Sequence, residues 1–174
     1  MIAVCDMGPL HYLVLIGAEH VLPQLFGRVL TPPAVLAEIC HPDTPVAVRG
    51  WAAAPPQWLE VKDPTHVEDI SSLGRKGARG AGEKAAIALA CEERADVILM
   101  DDKTGSREAR KRDLEPLWML QVLDEAAERG LINDLPDKLE HLEHRTRFYV
   151  GAKARAVIEA MKQRDLQRKQ GFGE

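Results

Sequence analysis

Hydrophobic and polar positions along this 174-residue chain alternate between short apolar runs and longer stretches of helical periodicity. Ile2-Ala-Val-Cys5 is apolar, ends at Asp6 and is followed by Gly8-Pro9, which predicts a buried strand leaving a sheet. A helix is expected from Pro9, with Leu10, Leu13 and Val14 on its apolar face and Gly17 at its end. Residues 18–26 predict a second helix, with Leu22, Leu25 and Phe26 facing inward. Arg28-Val-Leu30 reads as a second strand, and Thr31 is the expected N-cap of a helix over 34–41. A helix over 45–54 is stopped by Pro55-Pro56, and Trp58-Leu-Glu-Val61 alternates as a third strand. Residues 63–79 are polar and glycine-containing, a long loop with room for one helical turn. From Gly82 to Ala95 the alanine-rich pattern is helical, and Asp96-Val-Ile-Leu-Met100 is a strand of the buried parallel type. A charged helix over 104–113, a short strand near Glu115–Trp118 and helices near 119–129 and 135–146 follow. The last helix, over 150–168, sets Val150, Ala154, Val157, Ile158 and Met161 on one face.

Strands that alternate with helices imply an α/β fold, with a mostly parallel sheet of about five strands covered on both faces. The length is that of one domain, and 45% hydrophobic with 29% charged residues is globular composition. A net charge of −4 excludes a strongly basic nucleic-acid-coating protein. No apolar run reaches the roughly 18 residues of a membrane helix. The first residues carry no basic segment followed by an apolar one, so a cytoplasmic location is expected. Cys5, Cys40 and Cys91 are odd in number and widely spaced, which fits buried free thiols rather than disulfides or a zinc site. The six histidines show no metal-ligand spacing.

Ligands of open parallel sheets bind beyond the carboxyl ends of the strands, so the residues that follow each strand are inspected first. Asp6 follows the first strand, Glu38 lies in the helix after the second, Glu83 opens the helix that leads into the fourth, and Asp101-Asp102 follow the fourth. Each has an ordinary structural explanation: a helix cap for Asp6 and for one of Asp101 and Asp102, a solvated position for Glu38, and a favourable place in the helix dipole for Glu83. Together they place carboxylates from four segments at one end of one sheet. Such a cluster repels itself and calls for raised pKa values or a hard divalent cation such as Mg2+ or Mn2+. The reaction class this points to is metal-dependent hydrolysis of nucleic acid.

These pieces resemble the PIN-domain proteins of the VapC-like toxin group. The resemblance is carried by the apolar strand ending at Asp6 with Pro9-Leu10, by Thr31-Pro-Pro-Ala-Val-Leu-Ala-Glu38-Ile, and by Gly82-Glu83-Lys-Ala-Ala-Ile-Ala-Leu-Ala90. It continues in Val97-Ile-Leu-Met-Asp101-Asp102-Lys103 with Arg107, and in Leu120 to Ile132. It implies a three-layer α/β/α fold, a PIN-like nuclease domain over 1–132, and a helical extension over 133–174 packed on the same domain. It also implies a Mg2+- or Mn2+-dependent endoribonuclease, the toxin of a toxin–antitoxin pair, with RNA as substrate, a cognate antitoxin as partner and a homodimer as assembly. The family's four acids match Asp6, Glu38, Glu83 and Asp102, with Asp101 as an immediate alternative to Asp102. Asp6, Asp102 and Glu83 are then the expected metal residues, and Glu38 and Glu83 orient the water that attacks phosphorus in line. The chain departs from the family in one place: Met7 and Gly8 stand where a small hydroxyl residue is usual.

An acidic site needs neighbouring positive charge to hold RNA. Lys103 and Arg107 beyond the fourth acid, and Arg79 and Lys84 beside the third, are the expected RNA-binding residues; Arg75, Lys76, Arg110, Lys111 and Arg112 are outer members of the same patches. Residues 145–174 carry eight Lys or Arg against three Asp or Glu, so a cationic tail helix could track RNA, dock on an acidic partner or pack on its own domain. The alternative to a nuclease is a catalytically silent PIN-like module that binds a protein or RNA partner. A phosphoacceptor receiver domain is disfavoured because the acid pair follows strand four rather than strand one. A dinucleotide-binding fold is disfavoured because no Gly-x-Gly-x-x-Gly run follows strand one.

Overall fold

The computed structural model describes residues 1–68, 70–73 and 80–171. Five strands, β1 (Ile2–Cys5), β2 (Arg28–Thr31), β3 (Leu59–Val61), β4 (Val97–Leu99) and β5 (Pro116–Leu117), form one sheet in the order β3-β2-β1-β4-β5. Every neighbouring pair is parallel. The chain lays β2 and β3 on one side of β1, then crosses over to lay β4 and β5 on the other. β1 is therefore central, with Val4 opposite both Leu30 and Ile98. Helices on both faces make the three layers, which is why Ala3, Val4, Cys5, Ile98 and Leu99 are wholly buried and the central strands read as unbroken apolar runs.

The helices are α1 (Met7–Leu15), α2 (Val21–Phe26), α3 (Pro33–Ile39), α4 (Val46–Ala53), α5 (Ala81–Glu92), α6 (Lys103–Arg110), α7 (Met119–Glu128), α8 (Leu135–Arg145) and α9 (Ala152–Gly171). α1 starts at Met7, two residues before the expected Pro9, which fits in the first turn because amide groups there have no helical partner. Residues Ser71–Leu73 form a short helical turn at the end of the described part of this loop. Gly80, at φ +83°, turns the chain into α5 in a conformation that disfavours any side chain.

Two expectations are corrected. Thr31 does not cap α3; it is the last residue of β2, and its hydroxyl donates to the Cys5 carbonyl at 2.9 Å, tying the ends of β2 and β1 together. Pro32 takes the cap position, and prolines preset the backbone where side-chain capping is absent. Of the three thiols only Cys5 is buried; Cys40 and Cys91 are exposed.

The C-terminal helices share the core of the sheet. Leu135, Leu139, Leu142, Ile158 and Met161 are buried within one continuous cluster, with Val150, Ala154 and Val157 packed against it. Polar contacts hold the same arrangement: Lys138 donates to the carbonyls of Ile16 and Gly17 at the end of α1, both at 3.1 Å, and Lys162 pairs with Glu143 at 2.8 Å. Arg164 pairs with Asp124, and Lys169 with Asp165. Much of the positive charge of α9 beyond residue 160 is thus matched within the chain. No helix among the described residues is long and apolar enough to cross a membrane.

The Thr31 hydroxyl lies directly behind the end of β1, in a buried position where a lone carbonyl is costly. Replacing Thr31 by Val is expected to lower the unfolding free energy by about 1–3 kcal/mol, read as a lower urea midpoint with an unchanged slope.

Candidate active site

The order β3-β2-β1-β4-β5 makes the space between β1 and β4 the switch point of the sheet, and its carboxyl edge is where a crevice opens. Asp6 and Asp101 emerge there, one just beyond each strand, and the Asp6 amide still pairs with the Leu99 carbonyl at 3.0 Å. Asp6 sits at the N-cap position of α1, yet its side chain makes no capping hydrogen bond. It is 5% exposed, and its Oδ1 is buried with no hydrogen-bond partner. A cap therefore does not account for this residue. Burial pushes its pKa up to about 8, aided by repulsion from Glu83, Glu38 and Asp101 and opposed by the Met7 amide.

Glu83 lies in the first turn of α5, half-buried, and burial with repulsion from Asp102 and Glu38 raises its pKa to about 7. Glu38, on α3, reaches across to accept the Gly82 amide at 2.8 Å, which sets the start of α5 and with it the place of Glu83. Glycine lets the carboxylate come this close: a Cβ on residue 82 would stand 2.7 Å from a Glu38 carboxylate oxygen and push that side chain away. Burial raises the Glu38 pKa, while the Gly82 hydrogen bond lowers it.

Asp101 and Asp102 divide the two roles open to them in the sequence. Asp102 is the N-cap of α6, its Oδ2 accepting the Gly105 amide at 2.8 Å, and it is exposed. Asp101 turns inward; its Oδ1 accepts the Met119 amide at 2.9 Å at the start of α7, and its Oδ2 is buried without a partner. Burial raises its pKa to about 6, against the pull of the Met119 hydrogen bond. Gly8 borders that free oxygen, a Cβ there lying in ordinary contact at 3.8 Å, so the departure at residue 8 leaves space beside Asp101.

As placed, no three His, Cys, Asp or Glu side chains among the described residues form a group that could hold a metal ion. The chemistry of the donors nonetheless suits a hard divalent cation: they are all carboxylate oxygens, two of them buried and unpartnered, on Asp6 and Asp101. Burial does most to raise Asp6 and Glu83, and the repulsion that adds to it is the charge imbalance such a cation would relieve.

The expected RNA-binding residues separate. Lys103 lines a cavity of about 530 Å3 that also includes Asp101 and Asp102, whereas Lys84 lines a second cavity of about 310 Å3 with Glu68, Glu92 and Arg112. Arg107 is exposed on α6. Arg112 pairs with Glu68 and Glu108, and Lys111 with Glu108, so these outer cations serve the fold. Arg79, like Arg75 and Lys76, lies outside the described residues. Tyr12, Trp118, Arg147, Tyr149 and Lys153, which also line the larger cavity, were not among the expected site residues. Their only sequence signal is the aromatic–basic run Arg147-Phe-Tyr149 ahead of the cationic tail helix.

A parallel sheet that carries Asp6 and Asp101 just beyond the strands at its switch point, with Glu38 and Glu83 on adjoining helices, defines a three-layer α/β/α protein. The model of the DUF3368 family, described as a PIN domain, matches residues 2–164, and the chain belongs to this family. PIN domains are generally nucleases and typically use divalent metals, which supports a nuclease-type hydrolase here. The match continues through α8 into α9, beyond residue 132. Comparisons with curated proteins and with solved structures gave no match.

The raised carboxyls give a pH dependence with a definite sign. A carboxyl whose folded pKa lies above its unfolded value favours the folded state when protonated, and that contribution is lost as pH rises through the folded pKa. In chelator, thermal stability is expected to fall between about pH 5 and pH 8, the window set by Asp101, Glu83 and Asp6. Asp6→Asn should flatten the fall and raise the melting temperature at pH 8, by roughly 2–4 °C per kcal/mol recovered. A melting curve series from pH 5 to pH 8.5, with and without Mn2+, checks this.

Proposed function

We propose that this protein is a divalent-cation-dependent endoribonuclease. The observation that carries the reading is a buried Asp6 repelled by the half-buried Glu38 and Glu83 and by Asp101, with unpartnered oxygens on Asp6 and Asp101. Hydrolysing a phosphodiester requires charge compensation at the phosphate and a base for the attacking water. Asp6 and Asp101, together with Asp102 and Glu83, are the residues that would hold a divalent cation, which would supply the positive charge at the phosphate. Glu83, half-buried in the first turn of α5 beside the other acids, is the side chain suited to take the proton from water. Glu38 is a positioning residue: through the Gly82 amide it fixes the turn that carries Glu83. Asp102 keeps α6 capped, and so holds Lys103 at the rim of the crevice.

Cleavage of a mixed pool of single-stranded and structured RNA by the full-length protein tests this reading. RNA should be cut with Mg2+ or Mn2+ and remain intact with EDTA. Asp6→Asn and Glu83→Gln should each slow cleavage by roughly 100-fold or more. Asp101→Asn should cost more than Asp102→Asn when activities are compared per folded molecule. Intact RNA in every lane, with no cation binding by calorimetry, would leave a silent PIN-like module in place of the nuclease.

The likeness to VapC-like toxins further supports the toxin role of a toxin–antitoxin pair, with a cognate antitoxin as protein partner. Induced expression in a bacterial host is then expected to arrest growth, and Asp6→Asn to relieve the arrest; growth counts over a few hours give the answer.

A further inference from the structure

The cavity beside the acidic residues shares Asp101, Asp102 and Lys103 with the hydrolytic site, and the rest of its lining lies outside that site. Its floor adjoins Gly8, Asp101 and Asp102, and its far wall is the segment between α8 and α9 with the first turn of α9. Aromatic rings from α1, the start of α7 and that wall dominate the lining. Trp118, at the start of α7, presents its face to Lys153, whose ammonium stands 3.8 Å from the ring centroid. Tyr12 and Phe148 meet edge to face at 5.1 Å, which fixes the segment against α1. Tyr149, next along, is 86% exposed, an unusual placement for a tyrosine at the edge of a cavity. Lys103 and Arg147 complete the lining with positive charge. The volume, about 530 Å3, lies within the range of small-ligand clefts and is large enough for a single nucleotide.

Aromatic faces interleaved with cations, beside a group of carboxylates, is the chemistry that receives an unstacked base and the phosphates on either side of it. Lys153 covers one face of the Trp118 ring as a cation, so a base stacks on that face as the flexible lysine swings aside to a phosphate. We propose that this cavity is a subsite for one unpaired nucleobase of an RNA strand, adjoining the phosphate to be cut. Trp118 and Tyr149 take the base, and Lys103, Arg147 and Lys153 take the flanking phosphates. The proposal rests on the nuclease reading for its placement next to a cleaved bond, but the binding it describes is separate from cleavage. A base inside a duplex is stacked on both sides and does not enter such a cavity, so the subsite selects single-stranded over fully paired RNA.

The test is binding of full-length protein in EDTA, where no cutting occurs, measured by fluorescence anisotropy. The probes are a labelled oligouridylate octamer, an abasic ribose-phosphate chain of the same length, and a blunt RNA duplex. Wild-type protein should bind the octamer more tightly than either of the others. Tyr149→Ala, a change at an exposed residue that leaves the fold intact, and Trp118→Ala should each weaken octamer binding roughly 5- to 150-fold. Both should bring it down towards the abasic chain, whose own affinity hardly changes. Trp118→Phe should retain most of the binding, which guards against a merely structural effect at that position. Lys153→Ala should weaken the octamer and the abasic chain alike. Equal wild-type affinity for octamer and abasic chain, no octamer binding at all, or unchanged affinity in both Tyr149→Ala and Trp118→Ala overturns the subsite and leaves the cavity to a protein partner. Cleavage assays on the same variants separate the two readings. Cutting by a protein whose octamer affinity is unchanged in both Tyr149→Ala and Trp118→Ala sinks the subsite and spares the nuclease; base-dependent binding by a protein that cuts nothing does the reverse.

Discussion

Repulsion among carboxylates that the fold forces together is the constraint around which this molecule is organised. Asp6 is nearly out of water and faces Glu38, Glu83 and Asp101 with one oxygen unpartnered. A fold seeking only stability would not collect such groups, because each ionised acid raises the cost of ionising the next. The sheet nevertheless brings them to one edge, and the surrounding backbone is arranged to hold them. The Thr31 hydroxyl ties β2 to β1 behind Asp6, the Gly82 amide holds Glu38, and the Met119 amide holds Asp101. Strain of this kind, held in place by a well-packed scaffold, marks functional sites more often than structural ones.

One small residue lets the Glu38 contact form: Gly82 allows the Glu38 carboxylate to approach the start of α5. At the fourth acid, neighbouring aspartates do different work because the chain turns between them. Asp102 faces outward to cap α6, so Asp101 is free to face inward beside the start of α7. One acid organises a helix and the other carries an oxygen into the crevice.

The C-terminal helices serve both the fold and the surroundings of the site. Ile158 and Met161 close the core that begins at β1, so α9 packs as part of the same unit. Its distal cations are matched by Glu143, Asp124 and Asp165. At its N-terminal end, by contrast, Lys153 leans over Trp118 and Arg147 and Tyr149 border the cavity. Charge along this helix is thus divided between holding the helix down and lining the edge of the acidic crevice.

The alternation of apolar runs and helical periodicity was enough to read five strands, their order along the chain and an α/β class, because buried parallel strands and amphipathic helices carry their signal locally. Asp6, Glu38, Glu83 and the Asp101-Asp102 pair were legible as candidates for a similar reason: each follows a strand, opens a helix or, for Glu38, lies in the short helix after a strand. Thr31 was misread as a cap, since a hydroxyl before Pro-Pro looks the same whether it serves the helix ahead or the strand beside it. The sequence by itself thus determined the class of fold, the family resemblance and which acids to examine. Only the tertiary structure decided that β1 lies between β2 and β4, that Asp101 rather than Asp102 turns inward, and that Trp118 meets Lys153 from 35 positions further on. Local periodicity records what a residue's own segment buries, whereas pairing order and contacts between distant segments arise only when the whole core closes.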